Sequence, residues 1–276
     1  VGGLTAHFDL LPTLIDLCGV PAPGNFRFDG ISLASALRGK GPIPSRTLIA
    51  ELQLVVGQPE KWRRTSVMSG QWRLINGTEL YDLRGDPLQA ADIAAEPPDE
   101  VARLREAYDR WWDDVSENHG RDCEIILGSD HENPALLTAY HWNNETGEQR
   151  DMPWAHAHIV AGPLQNGWWR VRVEREGTYA FRLRRWPAET GLPINAVAHF
   201  DPPEKSWHPI TPGVLRATRA RLQIADFDQT LPVPPDAKTV TFTAKLRPGG
   251  ARLQTWFLDD GGNSRGAYYV EAERRE

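Results

Sequence analysis

Residues 169–184 read WRVRVEREGTYAFRLR, and their period of two decides the fold of everything around them. Trp169, Val171 and Val173 alternate with Arg170, Arg172 and Glu174. Glu176-Gly177 turns the chain, and Tyr179, Phe181 and Leu183 then alternate with Ala180, Arg182 and Arg184. Successive side chains of a strand point to opposite faces, so each run predicts a strand with one apolar and one polar face. Further along, Val240, Phe242 and Leu246 alternate with Thr241, Thr243 and Lys245. Pro248-Gly249-Gly250 leads into Leu253–Leu258, and Asp259–Asn263 turns into Ala267–Ala272. Short strands punctuated by Gly, Pro and Asp predict a β-sandwich of jelly-roll type over residues 120–276.

Upstream the period changes. Val101, Leu104, Tyr108, Trp111 and Val115 recur at spacings of three and four behind Asp99, which predicts an amphipathic helix over 99–117. Before it, Thr47–Val56, Arg64–Met68, Trp72–Ile75 and Glu79–Leu83 read as strands, with Asn76-Gly77 as the strongest hairpin signal in the chain. A small antiparallel sheet with a packed helix is expected, α+β in class, ending at a boundary near Asn118–Arg121. Residues 9–19, DLLPTLIDLCG, read as a helix with Asp9 as N-cap and Gly19 as the stop, too apolar all round for a surface helix and suited to burial against something larger, which would leave an apolar face exposed in this chain; Cys18 reads as a buried small hydrophobe. A shorter helix fits Leu33–Leu37.

The chain has 276 residues and a formal net charge of −6, from 31 basic and 37 acidic groups. That balance gives no electrostatic footprint for nucleic acid. No apolar run reaches the roughly 18 residues a membrane helix needs. The two cysteines, Cys18 and Cys123, suggest neither a disulfide framework nor a zinc site and leave the compartment unread. The chain opens on Val1-Gly2-Gly3-Leu4, directly before an apolar segment, which reads as the start of a fragment.

Several blocks then carry a resemblance. His7-Phe8-Asp9-Leu10-Leu11-Pro12-Thr13-Leu14-Ile15-Asp16-Leu17-Cys18-Gly19 resembles a helix of the sulfatase family. Phe28-Asp29-Gly30-Ile31-Ser32-Leu33 with Leu37-Arg38-Gly39 resembles the segment that follows it. Trp72-Arg73-Leu74-Ile75, Glu79-Leu80-Tyr81-Asp82-Leu83 and Asp86-Pro87 resemble the family's last sheet, with Asp92-Ile93-Ala94 where Asn-Leu-Ala is commoner. The blocks follow the family's order and cover residues 1 to about 116. The tail from residue 123 resembles a β domain that some bacterial sulfatases append.

The resemblance implies the C-terminal part of a sulfuric ester hydrolase, from an exported (periplasmic or secreted) parent. The family's nucleophile is a formylglycine made from the cysteine or serine of a C-x-P/A-x-R motif, and calcium neutralises the sulfate. Cys18 is followed by Gly-Val-Pro-Ala-Pro and Cys123 by Glu-Ile-Ile-Leu-Gly, so neither starts that motif. The family's calcium ligands lie upstream of the blocks matched here. No catalytic residue carries over, and this chain is expected to be inactive alone, with a missing N-terminal α/β sulfatase domain as its partner.

Substrate-binding candidates are His7, ahead of the apolar helix, which could sit behind a sulfate pocket or be a structural histidine, and Glu51, inside an apolar strand, which could support the site from behind or be a plain surface carboxylate. Asp130 and His131, in a polar cluster past the boundary, could approach an active-site mouth or form a turn. Arg182 and Arg184, with Arg170, Arg172 and Arg185 on strands expected to be adjacent, could pair with sulfate groups of a carbohydrate or form a solvated face. His156 and His158 would share one face of a strand, as metal sites require, with His141 and Asp151 as further ligands, or be two surface histidines. Asp259–Asn263 fits a hairpin better than a calcium loop. Trp142, Trp154, Trp207 and Trp256 could stack sugars or fill a core.

Overall fold

Side chains that alternate along the sequence alternate between core and solvent in the computed structural model, which describes residues 3–22, 24, 26–53, 58–96, 98–144, 152–153, 155–198 and 211–275. Two units are distinguished, Val1–Arg121 and Asp122–Glu276.

In the first unit, strands β1 (Thr47–Glu51), β2 (Thr65–Ser69), β3 (Trp72–Ile75) and β4 (Glu79–Asp82) form an antiparallel sheet in sequence order. Val55 and Val56, assigned to the first strand from sequence, lie outside the described residues. Between β3 and β4, Asn76 (φ 48°) and Gly77 (φ 72°) both adopt the left-handed conformation in a three-residue connection closed by the Thr78 N–H, which donates to the Ile75 carbonyl (3.0 Å). Val67, Leu74 and Leu80 form the buried face of the sheet. They pack against Val101, Leu104 and Tyr108 of the long helix Pro98–Ser116. Asp99 sits within the first turn of that helix, where its charge suits the positive end, rather than ahead of it as a cap. Val115, expected on the buried stripe, is exposed near the end of the helix.

Two shorter helices precede this sheet: α1 (Leu10–Cys18), which follows a single 3-10 turn at His7–Asp9, and α2 (Ala34–Leu37). The long helix is α3. Helix α1 leaves an apolar face exposed, as expected, but the expected burial of Cys18 does not hold. Only Pro12 and Thr13 are buried in it, Cys18 is exposed, and Leu10, Leu11, Leu14 and Leu17 are exposed by 61, 55, 56 and 40%.

The second unit is a sandwich. One sheet runs β10-β9-β12-β7-β5, with the short β13 (Ser264–Arg265) against β12. The other runs β11-β8-β14-β6. The members of the first are β5 (Ile125–Leu127), β7 (Trp168–Val173), β9 (Arg219–Ile224), β10 (Phe227–Pro232) and β12 (Gly249–Leu258). Those of the second are β6 (Ala135–Thr138), β8 (Gly177–Arg184), β11 (Val240–Leu246) and β14 (Tyr269–Arg274). All pairings are antiparallel except β5 with β7. Trp169, Val171, Leu222, Leu253 and Phe257 from the first sheet share one core with Phe181, Leu183, Phe242 and Val270 from the second.

The strands on either side of Glu176-Gly177 are therefore not sheet neighbours: the chain crosses from one sheet to the other there. Arg170 and Arg172 lie in a different sheet from Arg182 and Arg184, so the expected shared arginine face does not form. Arg185, just past β8, is 1% exposed. Its guanidinium donates to the carbonyls of Ala196 (3.2 Å), Val160 (3.0 Å) and Gly213 (2.9 Å) rather than to a carboxylate. Burial pulls its pKa down to about 10.

A Cβ on Gly77 would stand 2.8 Å from the Trp62 indole, whereas one on Gly70, also left-handed at φ 59°, would meet nothing within 4 Å. Gly70→Ala is expected to show only the left-handed backbone cost, about 1 kcal/mol, and Gly77→Ala at least about 1 kcal/mol more. Thermal unfolding of the two variants checks this; equal losses would mean that Trp62 moves aside without cost.

Candidate functional site

The block resembling a sulfatase helix is organised by three polar positions, Asp9, Thr13 and Asp16, spaced to share one side of a helix. The Asp9 carboxylate is fully buried. It accepts the N–H groups of Ala6 (2.7 Å) and Ile31 (3.0 Å) and both arms of the Arg46 guanidinium, one at 2.8 Å. So Asp9 is not the side-chain cap of α1 expected from sequence; it pins together three segments of chain. Thr13 donates its hydroxyl proton to the Asp9 carbonyl (2.6 Å) and accepts the Leu33 N–H (2.8 Å). Asp16 accepts from Ser32 (2.6 Å) and Arg38 (3.3 Å). Gly30 lies so close to the backbone at Phe8 that a Cβ would be 2.1 Å from its carbonyl oxygen. The polar side of α1 thus docks on 29–38, and its leucines face outward. Beside Arg46, a depression of about 480 Å³ is lined by Leu4, Ile43 and Pro44.

The remaining sequence candidates scatter. His7 is exposed and meets the Phe8 ring edge-on at 5.4 Å. Glu51 is half-buried and committed: it accepts from the Tyr108 hydroxyl (2.9 Å) and the Gln53 amide (2.6 Å). Tyr108 also accepts the Trp62 N–H (3.0 Å) and stacks on its indole at 3.7 Å, and burial raises the phenol's pKa. In the second unit, Asp130 grips Arg175, with one hydrogen bond at 2.6 Å, and the exposed His131 donates its N–H to Ser129 (3.2 Å). Their neighbour Asn133 pairs with the Arg274 backbone through both ends of its amide, at 2.8 and 2.9 Å, which ties this segment to the end of β14.

Arg182 is held by Glu271 and Glu273, and Arg184 donates to Glu271 at 3.4 Å. Glu273, chiefly, raises the Arg182 pKa, and Arg182 in turn lowers that of Glu273. The pair expected on one strand face, His156 and His158, lies instead on helix α4 (His156–Ala161). Two residues apart on a helix point in nearly opposite directions, so the shared face is lost. The Ala155 N–H donates to His158 Nδ1 (3.2 Å). Asp151, Trp154 and Trp207 lie outside the described residues. Among the described residues, no group of three or more His, Cys, Asp or Glu side chains is arranged to hold a metal. The calcium implied by the resemblance finds no fit among them. Asp259 closes its turn by accepting from the Asn263 N–H (2.8 Å) and amide (2.9 Å), the expected hairpin.

One surface brings Arg170 and Trp256, expected separately, together with residues not expected. Trp168 and Arg170 on β7, Arg252, Gln254 and Trp256 on β12, and Arg221 and Gln223 on β9 all project from the solvent side of the first sheet. Arg252 and Arg170 lie 4.9 and 5.6 Å from the Trp168 ring centre, and Arg221 4.7 Å from that of Trp256. The alternation through 252–256 could have revealed this face, had it been read for its polar side.

No family model matches the chain. Part of it is similar to a sulfatase. The Delta 4,5-hexuronate-2-O-sulfatase of Bacteroides thetaiotaomicron is 33% identical over an alignment of 99 residues that covers 32% of this chain and 19% of that protein. The chain spans about a fifth of the length of this curated relative. Among solved structures, a ruminal GH26 endo-beta-1,4-mannanase superposes with a TM-score of 0.30 at 11% identity, over 52% of this chain and 26% of that one. A carbohydrate binding module (CBM6cm-2) from Cellvibrio mixtus lichenase 5A, in complex with cellotriose, gives 0.25 at 8%, over 52% of this chain and all of that one. Scores this low carry no argument about function. No helix among the described residues is long and apolar enough to cross a membrane.

Arg46 holds the Asp9 pKa near 2, against an ordinary 3.8. A lowered folded-state pKa gives stability that is complete above the unfolded value and lost as pH falls from about 4 through about 2. The contribution is about 2 kcal/mol. Urea unfolding of Asp9→Asn at near-neutral pH is expected to show a loss of this size, with a weaker further loss on acidification than the parent shows. A variant as acid-sensitive as the parent would contradict the assignment.

Proposed function

We propose that residues 1–119 are the end of a sulfatase domain, the C-terminal portion of a sulfuric ester hydrolase, and that residues 120–276 are an accessory β-sandwich. The observation that carries this is helix α1: it bears the sulfatase-like block, its polar side is tied to 29–38, and four leucines on its other side face solvent. Such a face suits burial against a further domain, here the α/β domain of the parent. The 99-residue similarity to a hexuronate sulfatase supports the same reading. Within it, formylglycine and calcium belong to the parent, and this chain has no turnover of its own. In this reading the exposed His7, beside the sulfatase-like helix, is a better substrate-side candidate than Glu51, whose carboxylate is already engaged.

A second reading concerns the sandwich, which we take as jelly-roll in type because β5 to β12 repeatedly cross between its two sheets. In this reading it binds carbohydrate, sulfated carbohydrate included. The mixed tryptophan, arginine and glutamine surface of the first sheet favours it. Arg182 and Arg184 serve it less well, with Glu271 and Glu273 competing for their donors.

The isolated chain is expected to bind a hydrophobic dye such as anilinonaphthalene sulfonate, and Leu11→Asp with Leu14→Asp to abolish most of that signal without loss of folded structure by circular dichroism. A dye-silent parent chain would argue against the docking face.

A further inference from the structure

We infer that the end of the sandwich where β7, β8, β11 and β12 come together is a binding site for a neutral oligosaccharide. This rests on the second reading above, that the sandwich binds carbohydrate, and gives it a place away from the first-sheet surface and a ligand class.

Small residues open the site. The inward positions of β12 shrink from Leu253 through Ala251 to Gly249, and those of β8 begin at Gly177, ahead of Tyr179 and Phe181. Without side chains at Gly249 and Gly177, the space between the sheet ends is left unfilled, in contrast to the close-packed core behind it. A Cβ on Gly249 would meet nothing within 4 Å. The result is a depression of about 630 Å³, within the roughly 300–1,000 Å³ of ligand pockets. Val173, Phe227, Leu246 and Ala251 give it an apolar lining.

Glu176, Asp226, Lys245 and Arg247 also line it, and all four are exposed. Among the described residues, none of these four side chains has a hydrogen bond or an ion pair. Other charged side chains of this unit are engaged: Arg172, Arg175, Arg182 and Arg221 each hold a carboxylate. An exposed charge by itself is an ordinary solvated group. Two acidic and two basic side chains around one apolar depression, none neutralising another, keep their donors and acceptors for a ligand.

That balance selects the ligand. With two groups of each sign, the lining gives an anion or a cation no net attraction. Hydroxyl groups suit it better, since each can donate to Glu176 or Asp226 and accept from Lys245 or Arg247. The C–H side of a sugar ring would cover the apolar lining. An extended peptide fits less well. Strands β7, β8 and β12 are paired on both sides, so their backbones offer no free edge to extend. Nor do Glu176 and Asp226 find the third ligand of a metal site among the described residues.

Calorimetric titration of the full chain with tetrasaccharides of cellulose, mannan, xylan and polygalacturonate tests the site. At least one neutral tetrasaccharide is expected to bind, at least about threefold more tightly than tetragalacturonate. Asp226→Ala with Arg247→Ala should weaken that binding at least about tenfold. Neither side chain has a partner in the fold, so this double variant should melt with the parent. Ala251→Phe, which fills the depression, should abolish binding, with a melting curve to check that it is folded. Thr241→Ala, exposed on β11, should change nothing. Equal or tighter binding of tetragalacturonate would overturn the neutral ligand class. Binding that survives the double substitution would overturn this site while leaving the carbohydrate reading, and its loss on Trp256→Ala would then place recognition on the first sheet. No binding of any tetrasaccharide would overturn both.

Discussion

An apolar face has to be covered, and most of this chain is arranged by that single requirement. In the second unit two sheets cover one another, with Trp169, Leu222 and Phe257 meeting Phe181, Phe242 and Val270 in one core. In the first, Val67, Leu74 and Leu80 are covered by Val101, Leu104 and Tyr108 of α3. At about 25 cal/mol per Å² of buried apolar surface, these interfaces are the main stabilising terms of each unit. The stripe of α1 is the exception: Leu10, Leu11, Leu14 and Leu17 stay exposed.

Polar groups decide which side of α1 is left uncovered. Asp9, Thr13 and Asp16 bind the backbone and side chains of 29–38 and Arg46, so the helix cannot roll its leucines inward without breaking a buried ion pair. Separating a buried carboxylate from its only cation costs about 3–5 kcal/mol. Arg185 shows a different solution to the same problem, in which backbone carbonyls from separate segments hold a buried cation. Both arrangements secure irregular chain to regular elements.

Elements whose signal is local were legible in the sequence. The Asn76-Gly77 hairpin, α3 and the alternation of β7, β8, β11 and β12 are fixed by turn chemistry and by period. What could not be read was partnership. Glu176-Gly177 looks like any hairpin turn, yet the strands it joins enter different sheets, because sheet membership depends on contacts distant in sequence. The His-x-His spacing shares one face only on a strand, and the Gly162 that stops the His156–Ala161 helix, at φ 62°, was the available sign against one. In α1, composition suggested a helix apolar all round, while the spacing of Asp9, Thr13 and Asp16 already marked a polar side. The candidate residues fared unevenly for the same reason. Glu51, Arg182 and Asp130 carry charges whose partners, Tyr108, Glu271 and Arg175, only folding reveals.

The outward leucines of α1 have an evolutionary consequence. In the chain by itself, Leu10, Leu11, Leu14 and Leu17 are under little selective constraint and could drift toward polar residues with a gain in solubility. Gly30 could not, because any side chain there meets the Phe8 carbonyl. Inside a longer protein both sets would be held equally. Their relative rates of substitution across a lineage would therefore record whether this helix has worked alone or against a neighbour.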